Sequence, residues 1–147
     1  IPASAISVAC WARSLAPLWN ADGALLSKRE FIILHPNFNT STVTAYLNIG
    51  GYKTVDVSPT NIQQWNLYAF TCDGTVLTGF VNGLQTAQLA VSGAFPASAN
   101  PLNIGHDTGG ANRYLNGDID DVRIWDRALS DAEMAALFNQ TRATYGV

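Results

Sequence analysis

The sequence has little charge, and neither sign of charge is concentrated in one part of it. Only 13% of its 147 residues are charged, and the formal net charge is −3. No basic stripe is present that could follow a phosphate backbone, so nucleic acid is not expected as a partner. No apolar run approaches the roughly 18 residues of a membrane-spanning helix, so membrane insertion is not expected either.

Glutamate and catalytic motifs are also scarce. The chain has two glutamates, Glu30 and Glu133, whereas a retaining glycosidase needs two carboxylates about 5 Å apart. His35 and His106 have no activated serine or cysteine nearby in sequence, and no cysteine–histidine spacing suits zinc. The sequence therefore predicts no catalytic residues and a protein that is not an enzyme.

Cysteine occurs only twice, at Cys10 and Cys72. One disulfide is compatible with this number. Two buried thiols are equally compatible, because a free cysteine behaves as a small apolar residue. The residues alone leave both alternatives open.

Short segments rich in β-branched and aromatic residues recur along the chain, separated by Gly, Pro and Asn. Asp73-Gly74 and Asn82-Gly83 are turn pairs typical of hairpins, which indicates antiparallel pairing. Strands are predicted over 6–12, 24–27, 31–34, 42–49, 52–57, 65–72, 75–81 and 84–91.

One helix is predicted, over about 131–139. Ser130 and Glu133 form a capping box at its start, and Leu129 and Met134 stand at the positions of a hydrophobic staple. The pattern predicts an all-β, two-sheet antiparallel sandwich with one short C-terminal helix, in a single domain covering 1–147.

Three segments resemble the laminin-G-like jelly roll, whose relatives include pentraxins and concanavalin-type lectins. They are ISVACWAR at 6–13, the double hairpin at 65–83, and the run from 102 to 130 that contains DIDDVRIWDRALS. The third is the most specific, since it resembles the family ending G-x-I-D-D-V-R-I-W-x-R-A-L-S almost residue for residue. The resemblance covers essentially the whole chain and implies a concanavalin-like jelly roll.

One part of the family pattern is not matched. In the family, a strand normally precedes the segment at 6–13 and pairs beside the closing strand at 118–126. Only Ile1-Pro2 stands in its place here. We expect this first strand to be missing, or to be supplied by upstream residues or by another chain, because proteins rarely leave a ladder edge bare.

The resemblance to pentraxins also bears on calcium and on the cysteines. Asp107 matches the first acidic position of a pentraxin calcium cluster, but Thr108 and Gly109 follow it, and Lys28-Arg29-Glu30 stands where an Asp-Asn pair would be. A double calcium site is therefore not expected, and a single calcium ion at Asp107 is the one cofactor left open.

Both cysteines are displaced from the pentraxin disulfide positions, and this favours two free, buried thiols.

Two loops contain aromatic and amide side chains of the kind that grip sugar rings or protein surfaces. They span 15–23 and 106–114. The candidate ligand-binding residues are Trp19, Asn20, Asp22, His106, Asp107, Asn112, Arg113 and Tyr114. The alternative for Trp19 is that it simply caps the core.

The function predicted first is a non-catalytic recognition or decoration module that binds glycans or a protein surface, displayed outside a cell or on a virion. The tail at 138–147 resembles the endings of laminin-G-like virion proteins of tailed bacteriophages. The alternative is a structural subunit of an assembly, such as a capsid decoration or a fibre, held by strand donation. A glucanase-like hydrolase is less favoured, because the Glu-x-Asp-x-x-Glu strand motif of glucanases is not found.

Overall fold

Ten strands and one α-helix make up the described part of this computed structural model, residues 5–19 and 23–147. The strands are β1 (Ile6–Ser14), β2 (Leu26–Lys28), β3 (Ile32–Pro36), β4 (Val43–Asn48), β5 (Tyr52–Val57), β6 (Asn66–Cys72), β7 (Val76–Val81), β8 (Leu84–Ala90), β9 (Asn103–Ile104) and β10 (Gly117–Trp125). The helix α1 (Asp131–Thr141) follows, and a 3-10 turn (Arg142–Tyr145) continues from it.

The strands form two five-stranded antiparallel sheets. Their orders are β10-β1-β6-β7-β8 in the first sheet and β5-β4-β3-β2-β9 in the second. Strand β5 lies against β7 and β8, so β10 and β9 flank the same side of the sandwich. The predicted jelly-roll sandwich with one C-terminal helix is confirmed.

The main core lies between the sheets. Alternation along β1 directs Val8, Cys10 and Ala12 into it, while Ala9 and Trp11 face the other side of the sheet. That other side forms a second core, which is covered by Met134 and Leu137 of α1. Strand β6 is consequently buried on both faces.

Helix α1 begins as the sequence predicts. The Ser130 side chain accepts a hydrogen bond from the Glu133 backbone amide (3.2 Å), and the Glu133 carboxylate accepts one from the Ser130 amide (2.9 Å). The helix runs two residues beyond the predicted end, to Thr141. Thr141 is there the hydrogen-bond acceptor for Trp11 Nε1, at 3.0 Å.

The two cysteines are free and buried. On the paired strands β1 and β6, Cys72 lies opposite Ile6, whereas Cys10 lies opposite Tyr68. The thiols therefore occupy different cross-strand pairs of the core, which confirms the expectation from the displaced cysteine positions. Burial raises the pKa of Cys10 to about 12.

Strand β10 carries a bulge. Ala9 pairs with Arg123 and Trp11 with Asp120, so β10 has one residue more than β1 between these pairs. Asp121 lies in this interval and adopts φ 49°. On a regular strand, residues three positions apart point to opposite faces. Because of the extra residue in the bulge, Ile119 and Val122 both pack against the main core.

The outer side of β10 pairs with no strand among residues 5–19 and 23–147. Beside it runs a largely apolar groove of about 430 Å³, the edge groove, between the open sides of the two sheets. Its lining residues are Ile6, Lys28, Phe31, Ile32, Leu102, Ile124, Trp125 and Asp126. Whether a further strand is supplied here from upstream or by another chain stays a prediction.

None of the helices in the described part of the chain is long and apolar enough to cross a bilayer.

Candidate functional site

The outer face of the second sheet holds a depression of about 400 Å³, which we call the sheet groove. Its lining residues are Arg29, Ile33, His35, Tyr46, Tyr52 and Arg113. The strands account for its floor: Ile33 pairs with Tyr46, and both alternate with residues that face the core. Although Ile33 lies on the outer face of a sheet, it is only 5% exposed, so the groove is recessed.

Three aromatic side chains lie along this floor. The Tyr46 ring meets His35 edge to face, with centroids 6.2 Å apart, and meets Tyr52 in the same way at 6.3 Å. The Tyr52 hydroxyl accepts a hydrogen bond from the Glu30 backbone amide (2.9 Å). These contacts fix the orientation of the rings before any ligand arrives.

A loop from Gly105 to Leu115 forms the wall of the groove. It is built like a hairpin: the Asp107 amide donates to the Arg113 carbonyl (2.9 Å), and the Leu115 amide donates to the Gly105 carbonyl (2.8 Å). Because side chains alternate along such a ladder, Asp107 and Arg113 fall on one side of it and His106 and Tyr114 on the other. The His106 and Tyr114 rings stack on each other at 4.5 Å.

Asp107 joins this wall to the floor. Its side chain is fully buried and accepts hydrogen bonds from Arg29 Nε (2.7 Å), Ser27 Oγ (3.2 Å) and Arg113 Nη1 (3.0 Å). Arg29 Nη2 and the Gly109 amide (3.2 Å) also donate to it. The carboxylate thus holds two guanidinium groups, both about a third exposed, at the rim of the groove.

The two arginines keep this carboxylate ionised. Burial raises the pKa of Asp107, but hydrogen bonds from Arg29, Arg113 and the Gly109 amide lower it more, to about 2. The same contact with Asp107 raises the pKa of Arg29. Asp107 is therefore ionised at neutral pH and places one negative charge between two guanidinium groups.

Two glycines make room for the guanidinium groups. A Cβ atom at Gly109 would overlap the Arg29 guanidinium, and one at Gly110 would lie 2.5 Å from Arg113 Nε. Any larger residue at either position would displace the arginine beside it. The Gly109-Gly110 pair is therefore part of the site.

The geometry argues against a calcium ion at Asp107. Calcium requires six to eight oxygen ligands, but both oxygens of Asp107 already accept hydrogen bonds from arginine. No cluster of three or more His, Cys, Asp or Glu side chains suited to a metal occurs in the described ranges. Arg29 stands where the pentraxin resemblance places calcium ligands, and its guanidinium supplies the positive charge instead.

The ligand-binding residues predicted from the sequence do not lie together in one site. Trp19 as a ligand-binding residue is wrong: its side chain is 2% exposed and packs on Tyr68 in the main core. The predicted residues Asn20 and Asp22 lie outside the described residues. Arg113 lines the groove, and Asp107 orients it from beneath.

The remaining nominated residues lie elsewhere on the loop. His106 and Tyr114 face away from the groove, and Tyr114 is 60% exposed. Asn112 is exposed at the loop tip with φ 58°, a conformation that asparagine tolerates better than most residues.

Of the six lining residues, sequence reasoning nominated only Arg113. It missed the apolar floor residue Ile33, and it missed four polar or aromatic residues: Arg29, His35, Tyr46 and Tyr52. The signal that could have found three of them is strand alternation. His35 follows core-facing Leu34, and Tyr46 follows core-facing Ala45. Tyr52 stands three positions before core-facing Val55, an odd spacing that places it on the opposite face of β5. Arg29 follows the short strand β2 and gave no such signal.

Comparisons with known proteins agree with this fold. A laminin G family model, described as the concanavalin A-like lectin/glucanases superfamily, matches residues 1–135. No curated protein matches the sequence.

Several solved structures are similar. The binding domain of botulinum neurotoxin serotype D has a TM-score of 0.73 and 13% identity, over 94% of this chain and 36% of that chain. The binding domain of botulinum neurotoxin DC in complex with SialylT has a TM-score of 0.72 and 14% identity, over 93% and 35%. A proposed carbohydrate-binding protein from Bacteroides ovatus has a TM-score of 0.72 and 16% identity, over 90% and 40%.

The chain spans well under half the length of these structural neighbours, and at such identities the likeness shows the fold alone. The family match is of a different kind, because it covers most of the chain. Together with the two-sheet topology, it shows that the chain belongs to the concanavalin A-like lectin/glucanase superfamily.

Proposed function

We propose that this protein is a non-catalytic glycan-binding module whose binding site is the sheet groove. The observation that carries this is the composition of the groove: fixed aromatic rings on its floor and arginine donors at its rim. Sugars present apolar ring faces beside hydroxyl groups, so a site for them needs both kinds of surface.

The size and order of the groove support this function. Its volume of about 400 Å³ lies within the roughly 300–1,000 Å³ usual for small-ligand sites. The tyrosine rings and the Arg29 guanidinium are held by neighbouring groups. Little side-chain entropy remains to be lost when a ligand binds, which favours affinity.

The charges in the groove do not suit glycoside hydrolysis. That reaction needs one carboxylic acid as proton donor and a second carboxylate as nucleophile or base. None of the six lining residues carries a carboxylate. Asp107, with a pKa of about 2, holds no proton to donate at neutral pH.

The solved neighbours include a proposed carbohydrate-binding protein and the binding domain of botulinum neurotoxin DC in complex with SialylT. Both descriptions concern binding, and this is consistent with our proposal.

We further propose that the module is displayed outside a cell or on a virion surface, since its low charge content suits such a setting.

Tyr52→Ala is expected to weaken glycan binding by roughly tenfold or more. Truncating a central aromatic contact typically costs over 1 kcal/mol, and 1.4 kcal/mol corresponds to tenfold. Tyr52 is 46% exposed, so its truncation should leave the fold intact. Binding is first located on a glycan array and then measured by titration calorimetry in the presence of EDTA, where it is expected to persist.

The matched control is Tyr114→Ala, which removes an equally large ring from the opposite side of the loop and should leave affinity unchanged. A Tyr114→Ala variant that fails to bind, beside a Tyr52→Ala variant that binds normally, would place the site on the other side of the loop.

One observation favours a second candidate function, assembly through the edge of the sandwich. The edge groove is lined mainly by apolar side chains, and Ile124 and Leu102 are over 40% exposed there. Strand β10 offers hydrogen-bonding groups alongside it. An extended segment of a second copy could add to β10 and place alternate side chains in the groove.

In this second case the wild-type protein is expected to form dimers or larger species, and Ile124→Lys to be monomeric, because a charge would enter the buried contact. Light scattering over a range of concentrations measures this. Leu84→Lys, on exposed β8 at the opposite edge of the same sheet, is the control. A wild-type protein that stays monomeric at every concentration excludes a second copy as the strand donor.

A further inference from the structure

We infer that the ligand of the sheet groove is an acidic saccharide, whose carboxylate binds Arg29 and Arg113 while its ring lies against Tyr46 and Tyr52. This inference rests on the proposed function and adds the chemical class of the sugar.

The charge balance of the rim is the first argument. Arg29 and Arg113 contribute two positive charges and Asp107 one negative charge, which leaves the rim at +1. The chain as a whole carries −3. A positive site on a negative protein attracts an anionic ligand selectively, and the field is strongest in a recess such as this one.

The unused hydrogen-bond donors are the second argument. A guanidinium group has five N–H bonds. Asp107 takes two from Arg29, at Nε and Nη2, and one from Arg113, at Nη1. Among residues 5–19 and 23–147, the other seven N–H bonds of these two side chains have no recorded acceptor. Each side chain is about one-third exposed, and a carboxylate matches such a planar donor array with two oxygens.

Asp107 also orients the arginines without neutralising both. It is fully buried, whereas the guanidinium groups are about a third exposed, so a ligand meets the guanidinium groups and not the carboxylate. The nearby acid Glu30 does not line the groove, and its carboxylate accepts a hydrogen bond from Asn100 (3.0 Å). The positive charge at the rim therefore has no competing carboxylate within the lining.

The aromatic floor distinguishes a sugar acid from a simple anion. Tyr46 and Tyr52 offer ring surface that acetate or sulfate would leave uncovered. A ligand with an anionic group at one end and an apolar ring face at the other contacts both halves of the groove. Uronic and sialic acids have this form.

Titration calorimetry on matched pairs tests the inference. The probes are oligogalacturonate with its methyl ester, and sialyllactose with lactose. At least one acid is expected to bind at least about tenfold more tightly than its neutral partner, because hydrogen bonds between a guanidinium and a carboxylate are stronger than those between neutral groups. The preference should shrink as salt is added.

Arg113→Gln is expected to abolish most of this preference, and Arg113→Lys to restore only part of it, because lysine keeps the charge without the planar fork. Arg13→Gln is the matched control, since Arg13 is a partly exposed arginine, like Arg113, and pairs with Asp118 outside the groove. Circular dichroism of each variant confirms that it is folded.

The outcomes separate this inference from the proposed function. If acidic and neutral partners bind equally and Tyr52→Ala weakens both, the glycan site stands and the acidic specificity is wrong. An acid preference that survives in both Arg113→Gln and Arg29→Gln also overturns the inference. If acetate and sulfate bind as tightly as the sugar acids, the groove is a simple anion site. If no saccharide binds, both proposals fail.

Discussion

Replacing Asp107 with alanine is expected to lower the free energy of unfolding by about 3–5 kcal/mol, the cost of removing one partner from a buried ion pair. The carboxylate is fully buried and is the common acceptor for Arg29, Arg113 and Ser27. Without it, two guanidinium groups would repel each other, and Ser27, which is also fully buried, would lose its partner. Urea unfolding monitored by tryptophan fluorescence measures the change.

Asp118→Ala is the matched control, because Asp118 pairs with Arg13 while both side chains are 42% exposed. Exposed ion pairs contribute at most about 1 kcal/mol. A second variant, Asp107→Asn, keeps the size of the side chain, removes its charge and replaces one acceptor oxygen with an NH2 donor. If both Asp107 variants unfold like the Asp118 control, the carboxylate does not hold the two arginines in solution, and the structural basis of the groove rim is wrong.

Trp11→Ala is expected to cost a similar amount, about 3–5 kcal/mol, through loss of the second core. Trp11 is fully buried on β1 and lies between the rings of Tyr145, at 4.3 Å, and Phe138, at 5.7 Å. Its Nε1 donates to Thr141. The alanine variant would leave a large cavity beneath α1, so near-ultraviolet circular dichroism should change together with the urea midpoint.

Trp11→Phe separates packing from hydrogen bonding at this site. It retains an aromatic ring between Phe138 and Tyr145 and removes the donor, so a cost of about 1 kcal/mol beyond the lost volume is expected. Leu89→Ala, on exposed β8, should change stability little. A Trp11→Ala variant as stable as Leu89→Ala would mean that α1 does not pack on the first sheet as described.

The strands, turns and helix could be predicted because their signals are local. Asn82-Gly83 makes its turn with φ 52° and 78°, as such a pair does in a hairpin. The capping box at Ser130 lies within four residues of sequence. Each of these features is formed by residues that are close together in sequence, so the sequence alone is enough to predict it.

The site could be predicted only in part because it depends on distant partners. Arg29 meets Asp107 across 78 residues, and Tyr46 meets Ile33 only once β3 and β4 are in register. Trp19 shows the opposite error: an aromatic residue in a loop sequence resembles a binding residue, yet the loop returns it to the core. A local sequence pattern can mark a residue as a candidate for binding. Strand pairing and distant contacts decide whether its side chain faces the groove or the core.

The pairing of β1 with β10 has a consequence for how the molecule folds. Ser7 bonds to the Arg127 carbonyl and the Leu129 amide, both at 2.8 Å, so the first strand depends on residues about 120 positions later. All-β sandwiches, whose strand pairings join residues far apart in sequence, typically fold in milliseconds to seconds. During synthesis, β1 must wait with one face uncovered until the closing strand and helix have left the ribosome.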